Sequence, residues 1–252
     1  MTVDAMGVAM NWARLASALA GALLFGAVQV RAESLQVQPA LVDVVAPSAA
    51  STITLRNEGT TPTNVQIRVF RWSQVNGEES LQPTDDVVAS PPAVTLLPGT
   101  DYVARIVRVV KRPVATEEAY RLLVDELPDA SRAKTGTVRL LVRHSIPVFF
   151  GSQARTPPSL DWTISRQDGR LIVSAHNRGG TRLRISALLL RDVSGHKISF
   201  GGGLVGYALG QSTMRWAAPA SGRKFATKGS VSISGQGNDG PINAVAPVVA
   251  AP

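Results

Sequence analysis

Residues 136–151 read GTVRLLVRHSIPVFFG. Taken with a period of two, one face carries Val138, Leu140, Val142, His144, Ile146, Val148 and Phe150, which is almost wholly apolar. The other carries Arg139, Leu141, Arg143, Ser145, Pro147 and Phe149, which is mixed. A strand covered on one side shows a clean apolar-in, polar-out alternation. Here both faces hold large apolar groups, interrupted by two arginines and a histidine. Either the strand is buried on both faces within its own domain, or part of it waits for something to cover it.

Working outward, the chain after residue 32 reads as strand and turn. Runs rich in Val, Ile, Leu and Thr recur every 8–12 residues or so, separated by Gly, Pro and Asn, the pattern of an all-β sandwich. They fall at 35–45, 51–56, 64–71, 101–110, 120–127 and 138–150, then at 160–165, 170–175, 182–190, 213–216 and 228–234. Two stretches resemble each other: TLRNEGTTPTNVQIRV (54–69) and SAHNRGGTRLRISALLL (174–190). Each runs strand, Asn-x-Gly, polar turn, strand, so Asn57/Gly59 and Asn177/Gly179 are expected to supply positive-φ turn positions. The repeat predicts two copies of one sandwich, 33–150 and 159–235, joined by a Gly- and Pro-containing linker at 151–158. Residues 236–252, small and Pro-rich, read as a flexible tail.

At 252 residues the length suits two domains of ordinary size. The formal charge of +8 would suit an anionic partner, yet the basic residues are scattered and only 5% of residues are aromatic. Neither a phosphate-tracking stripe nor a stacking platform is present, so nucleic acid is not an expected partner. The stretch from Leu15 to Val28 is an apolar run of secretory length preceded by Arg14 and followed by Val30-Arg31-Ala32, a small-x-small site. Residues 1–32 are therefore expected to be a signal peptide, leaving an exported chain without stable membrane insertion. That chain would hold 24 basic and 17 acidic residues, a net +7, because Arg14, Arg31 and Asp4 leave with the peptide. There is no cysteine, so no disulfide supports the fold.

Chemistry-bearing constellations are poor. His144, His176 and His196 lack metal-ligand spacing. Gly201-Gly202-Gly203 is not followed by Gly-Lys-Ser/Thr, and no Gly-x-Ser-x-Gly elbow occurs. Asp85-Asp86 and Glu117-Glu118 are adjacent pairs whose side chains diverge on a strand, poor candidates for paired catalytic carboxylates. Neither an enzyme nor a cofactor is expected.

The segments VVASPPAVTLLPG (87–99), YVARIV (102–107), YRLLVDELP (120–128) and RHSIPVFF (143–150) occur in an order similar to the N-terminal domain of periplasmic pilus chaperones, the partners of outer-membrane ushers. Trp72 and Arg105 also fall where that family has them. Looser likeness runs through 160–216, and the wording is closest to the archaic, spore-coat-type branch. The resemblance implies an all-β chain of two immunoglobulin-like β-sandwich domains in a boomerang arrangement. It also implies a periplasmic function: binding pilus or coat subunits, completing their fold with a lent strand, and delivering them to the usher. Strand lending of this kind is a known mode of β-strand addition. Val138, Leu140 and Val142 would be the donor side chains, standing on one face at i, i+2, i+4. The segment Asp129–Thr137 would be the loop leading into them.

One departure stands out. Well-known members hold the subunit's terminal carboxylate with an Arg on the first strand and a Lys on the donor strand; those positions here are Ala40 and Pro147. The resemblance moves the anchor to Arg121, with Arg143 second and Arg105 third, since a guanidinium fork can grip a carboxylate through two hydrogen bonds. On pattern alone, 138–150 reads more simply as a core strand. An exported immunoglobulin-like adhesin or structural module is the alternative function.

Overall fold

The computed structural model describes residues 35–129, 140–219, 225–226 and 229–249. The signal-peptide reading, Val138 and most of the loop before it lie outside these residues. Among the described residues there is no helix; eighteen strands form four sheets.

The first ten strands are β1 (Leu35–Gln38), β2 (Val42–Val45), β3 (Ala50–Asn57), β4 (Thr63–Val75), β5 (Glu78–Pro83), β6 (Val87–Ser90), β7 (Ala93–Leu96), β8 (Asp101–Arg108), β9 (Glu118–Glu126) and β10 (Arg143–Gly151). One sheet has the order β1-β3-β8-β6, the other β2-β10-β9-β4-β5 with β7 also on β4. Alternate residues face inward: Ile53 and Leu55, Ala104 and Ile106, Tyr120, Leu122 and Val124, Ile146, Val148 and Phe150 fill one core. The run 35–45, expected as one strand, is two. Pro39 carries no N–H for a ladder, and the chain leaves β1, paired to β3, to join β10 through β2 in the other sheet.

The second series is β11 (Leu160–Gln167), β12 (Arg170–Asn177), β13 (Leu183–Arg191), β14 (Lys197–Ser199), β15 (Leu204–Ala208), β16 (Ser212–Ala217), β17 (Ser230–Gln236) and β18 (Pro241–Pro247). Sheets β11-β12-β16 and β14-β13-β17-β18, with β15 on β13, enclose Trp162, Ile164, Val173, Ile185, Leu188, Leu190 and Ile233. Within the span expected as a flexible tail, 236–252, the described residues contain a paired strand. Residues 241–247 pair antiparallel with β17 along its whole length, and Ala246 is fully buried. The residues are small but alternate, and Pro241 and Pro247 sit at the two ends, where a missing N–H does least harm to a strand.

The internal repeat is real, with a different cause from the one expected. Asn57 and Asn177 make matching bonds. Each side-chain amide donates to the carbonyl four residues on (Thr61 or Thr181, both 2.8 Å) and to a neighbouring strand end (Leu96 or Ala208, both 3.1 Å). Each carboxamide oxygen accepts from the glycine N–H two residues on, at 2.9 Å. None of the four turn residues has positive φ. The asparagine works through its side chain, while Gly179 is required because a Cβ would lie 2.1 Å from the Pro157 carbonyl oxygen.

Candidate functional site

The doubly apolar segment is buried twice, but only in part. From Ile146 to Phe150 the strand is enclosed: even residues enter the first core, and Phe149 joins Trp72, Ala119, Tyr207 and Leu209 in a separate cluster shared with the second sandwich. Toward its start the cover ends. Leu140 is 85% exposed and Leu141 44% exposed. The change falls at His144, whose Nε2–H donates to the Leu35 carbonyl at 2.8 Å and ties the strand to β1.

The edges of β10 differ. β9 pairs with it from Arg143 to Phe150, whereas β2 pairs with it in parallel only from Val148 to Gly151. The backbone of Arg143–Pro147 therefore has no ladder partner on its second side among the described residues. Parity identifies the groups that face this opening. The Val142 carbonyl accepts from Glu126 N–H on β9 (3.0 Å) and the Gly151 carbonyl accepts from Ala46 N–H beyond β2 (2.9 Å). Even residues thus bond β9, and Arg143 and Ser145 point their N–H and C=O outward. Pro147 also points outward, so its missing N–H costs the β9 ladder nothing and marks the end of the available edge.

The outer face of this sheet carries the charged groups. Asp125 accepts from Arg68 (2.7 and 3.2 Å) and from Arg143, which stands opposite it in a close, non-hydrogen-bonded pair. Burial pushes the Asp125 carboxyl up, but the bonds and charges of Arg143 and Arg68 outweigh it and hold the group below the usual carboxylate range. Arg121 stands opposite Pro147, four residues along β9 from Asp125. Its guanidinium carbon lies 3.8 Å from the Trp72 ring centroid and 5.9 Å from that of Tyr207, and Nη2 donates to Glu79 at 3.4 Å. Arg121 and Arg143 thus share one face, about 13 Å apart at 3.3 Å per residue. Arg105 is not brought to them. It is exposed on β8, in the opposite sheet, across from Thr52 and Ser90.

The contact between the sandwiches was missed by sequence reasoning. The β4–β5 hairpin turns on Asn76 and Gly77, both at positive φ, and the Gly77 carbonyl accepts from Arg215 N–H at 3.0 Å. Gln74, buried on β4, donates to the Tyr207 carbonyl (2.6 Å) and accepts from Leu209 N–H (2.9 Å). On the other side Arg182 lies 3.7 Å from the Phe149 ring centroid, bonds Glu117, and reaches Asp43 at 2.7 Å, which Arg155 also holds at 2.9 Å. Burial pushes the Glu117 carboxyl up, and the charge and bonds of Arg182 offset this only in part. Two other dismissed carboxylates are structural too: Glu118 takes both arms of Arg108 (2.7 and 2.9 Å) and the Tyr120 hydroxyl, and Asp86 takes Arg71 and Arg112. An Asn-Gly pair between strand-like runs was the available signal for the hairpin; no sequence signal marks Gln74.

Comparison with known proteins fits this geometry. Residues 34–154 match the family described as the pili and flagellar-assembly chaperone, PapD N-terminal domain. A comparison with curated protein sequences gave no match. Among solved structures, the chain is similar to one of the CsuC–CsuE chaperone–tip adhesion subunit pre-assembly complex from archaic chaperone–usher Csu pili of Acinetobacter baumannii. The TM-score is 0.66 at 25% identity, over 86% of this chain and 99% of that one. It shares its fold with the E. coli chaperone DraB (TM-score 0.56, 22% identity, 85% and 97% covered). The same fold appears in the Salmonella enterica SafA pilin complex with the SafB chaperone (TM-score 0.59, 16% identity, 86% and 98% covered).

Proposed function

This chain belongs to the pili and flagellar-assembly chaperones of the chaperone–usher pathway, and from that premise we propose that its Val138–Val142 segment is lent to a pilus or coat subunit while Ile146–Phe150 stays in its own core. The observation that carries the reading is the edge of β10. Among the described residues it is unpaired on its second side before Val148, it has outward N–H and C=O groups at Arg143 and Ser145, and it leads directly into a Leu140 that is 85% exposed. A free edge with exposed apolar side chains is a template for another strand, and a subunit lacking one strand is the partner that needs it.

Arg121 is the proposed anchor for the subunit's terminal carboxylate, Arg143 the second candidate. Arg121 stands beside Pro147, where the usable edge stops. A chain that pairs along this edge and ends at Arg121 must run parallel to β10, with its last residues toward Pro147. Arg143 is already paired with Asp125, although it remains 61% exposed; Arg105, on the opposite sheet, is too far round the sandwich to take part. The proposed compartment is the periplasm, and the proposed recipient of the loaded subunit is the outer-membrane usher.

The test replaces Val138, Leu140 and Val142 with Ser and measures recovery of a co-expressed subunit from periplasmic extract. Loss of the subunit with an unchanged thermal midpoint supports the reading. Full recovery sinks it in favour of an exported structural module. Arg121→Ala and Arg143→Ala, made separately, assign the anchor: a large loss in the second alone moves it to Arg143.

A further inference from the structure

Arg121 differs from the arginines that hold this fold together. Arg108 meets both oxygens of Glu118 and two carbonyls, and Arg182 meets two carboxylates; both side chains are under 10% exposed. Arg121 is nearly as enclosed, at 14%, yet among the described residues its one hydrogen bond is the 3.4 Å contact from Nη2 to Glu79, whose side chain is 39% exposed. A guanidinium has five N–H donors in a fixed fork, so most of them have no protein acceptor among the described residues and face solvent. Its immediate neighbour carries a buried donor without a partner. Among the described residues, Trp72 Nε1 is the only buried side-chain N or O without a hydrogen-bond partner. The direction of the side chain is also informative. The residue stands opposite Pro147, but its guanidinium reaches the other way, over Trp72 on β4 toward Glu79 on β5.

Resting on Arg121 as the anchor, we propose that Glu79 is a resident carboxylate that occupies this arginine in the free chain and is exchanged for the terminal carboxylate of the incoming subunit. Trp72 and Tyr207 form the slot in which the exchange occurs. The guanidinium lies over the Trp72 ring, with the Tyr207 ring farther off on the same side, and both supply cation–π attraction, so the charge keeps this support while its acceptor changes. Glu79 suits a temporary role because it makes one long bond from an exposed edge strand and can swing into water. The slot needs both sandwiches, since Tyr207 is placed by Gln74, which binds its carbonyl. The chemistry selected is a chain-terminal carboxylate on an extended peptide. An internal strand, with no carboxylate at its end, leaves Glu79 in place.

The experiment follows arginine Nε–Hε resonances of the mature chain while titrating N-acetyl-Thr-Val-Thr-Val as free acid, and separately as its C-terminal amide. Glu79→Gln keeps the size of the side chain and removes the competing charge. The free acid is expected to bind this variant about two- to five-fold more tightly than wild type, the range for release of a half-exposed ion pair. The amide is expected to be unaffected. Glu79→Asp, which keeps the charge but shortens its reach, should fall between. Unchanged acid binding in Glu79→Gln, together with loss of the acid preference in Arg121→Gln, overturns the exchange and leaves the anchor standing. Equal tightening of acid and amide also overturns it. Equal binding of acid and amide by wild type and Arg121→Gln removes the anchor itself, and the exchange with it.

Discussion

Leu140→Ser separates a side chain kept for a partner from one kept for the fold. Leu140 is 85% exposed in the free chain, so its removal takes almost no apolar surface out of the core. Its expected effect on the thermal midpoint is within the scatter of surface substitutions. In the proposed complex the same side chain would be buried in the subunit, and full burial of a leucine contributes about 1.5–3 kcal/mol. At 1.4 kcal/mol per factor of ten, loss of that term weakens subunit binding about 10- to 150-fold. Two controls bracket the result. Leu141→Ser, on the opposite face of the strand, should retain most of the affinity. Ile146→Ala, at a residue 4% exposed in the core, should destabilise the chain by about 2–5 kcal/mol. The assay is a competition for one refolded subunit, read beside differential scanning calorimetry of each free variant. A Leu140→Ser chain that melts several degrees low, or that binds the subunit as well as wild type, refutes the division of the strand at His144.

Two further outcomes concern the supports of the site. Gln74→Ala leaves the Tyr207 carbonyl and Leu209 N–H buried without partners, and is expected to cost about 1–3 kcal/mol by denaturant unfolding. A neutral result would mean that the hairpin contact does not couple the sandwiches. The Asp125 carboxyl sits below its ordinary value of 3.8 in the folded chain, so the unfolded chain binds the proton more readily. Its contribution is therefore present above about pH 4 and is lost as the pH falls through the lowered folded value. Asp125→Asn is expected to lower the melting temperature at pH 6 and to flatten its decline between pH 5 and 3; an unchanged acid limb contradicts the pairing with Arg68 and Arg143.

Much of this architecture was legible because β-branched runs at turn-bounded spacing leave few alternatives to paired sheets. The two Asn-x-Gly turns announced the duplication, although the asparagines act through their carboxamides rather than through φ. What stayed hidden had weak local signals. β5 carries Glu78, Glu79, Ser80 and Gln82 on an exposed edge, so no apolar alternation reveals it. β18 alternates residues as small as alanine, and its prolines imitate a tail. The segment proposed as donor in 136–151 was legible as excess apolar surface, and the limits proposed for it rest on the unequal reach of β9 and β2 along β10. Arg121 was named by family likeness. That it lies on Trp72, against Glu79 and within 5.9 Å of the ring centre of Tyr207 from the second sandwich, depends on which strands meet in space, and nothing near residue 121 encodes that.

Amide hydrogen exchange on the chain with and without a bound subunit tests strand lending most directly. The N–H groups of Arg143 and Ser145 face the open edge, whereas those of His144 and Ile146 already bond β9, and Pro147 has none. The account predicts that a subunit slows exchange strongly at Arg143 and Ser145 and leaves His144 and Ile146 nearly unchanged. Unaltered exchange at Arg143 and Ser145, with new protection on β1 or β6 instead, would contradict it.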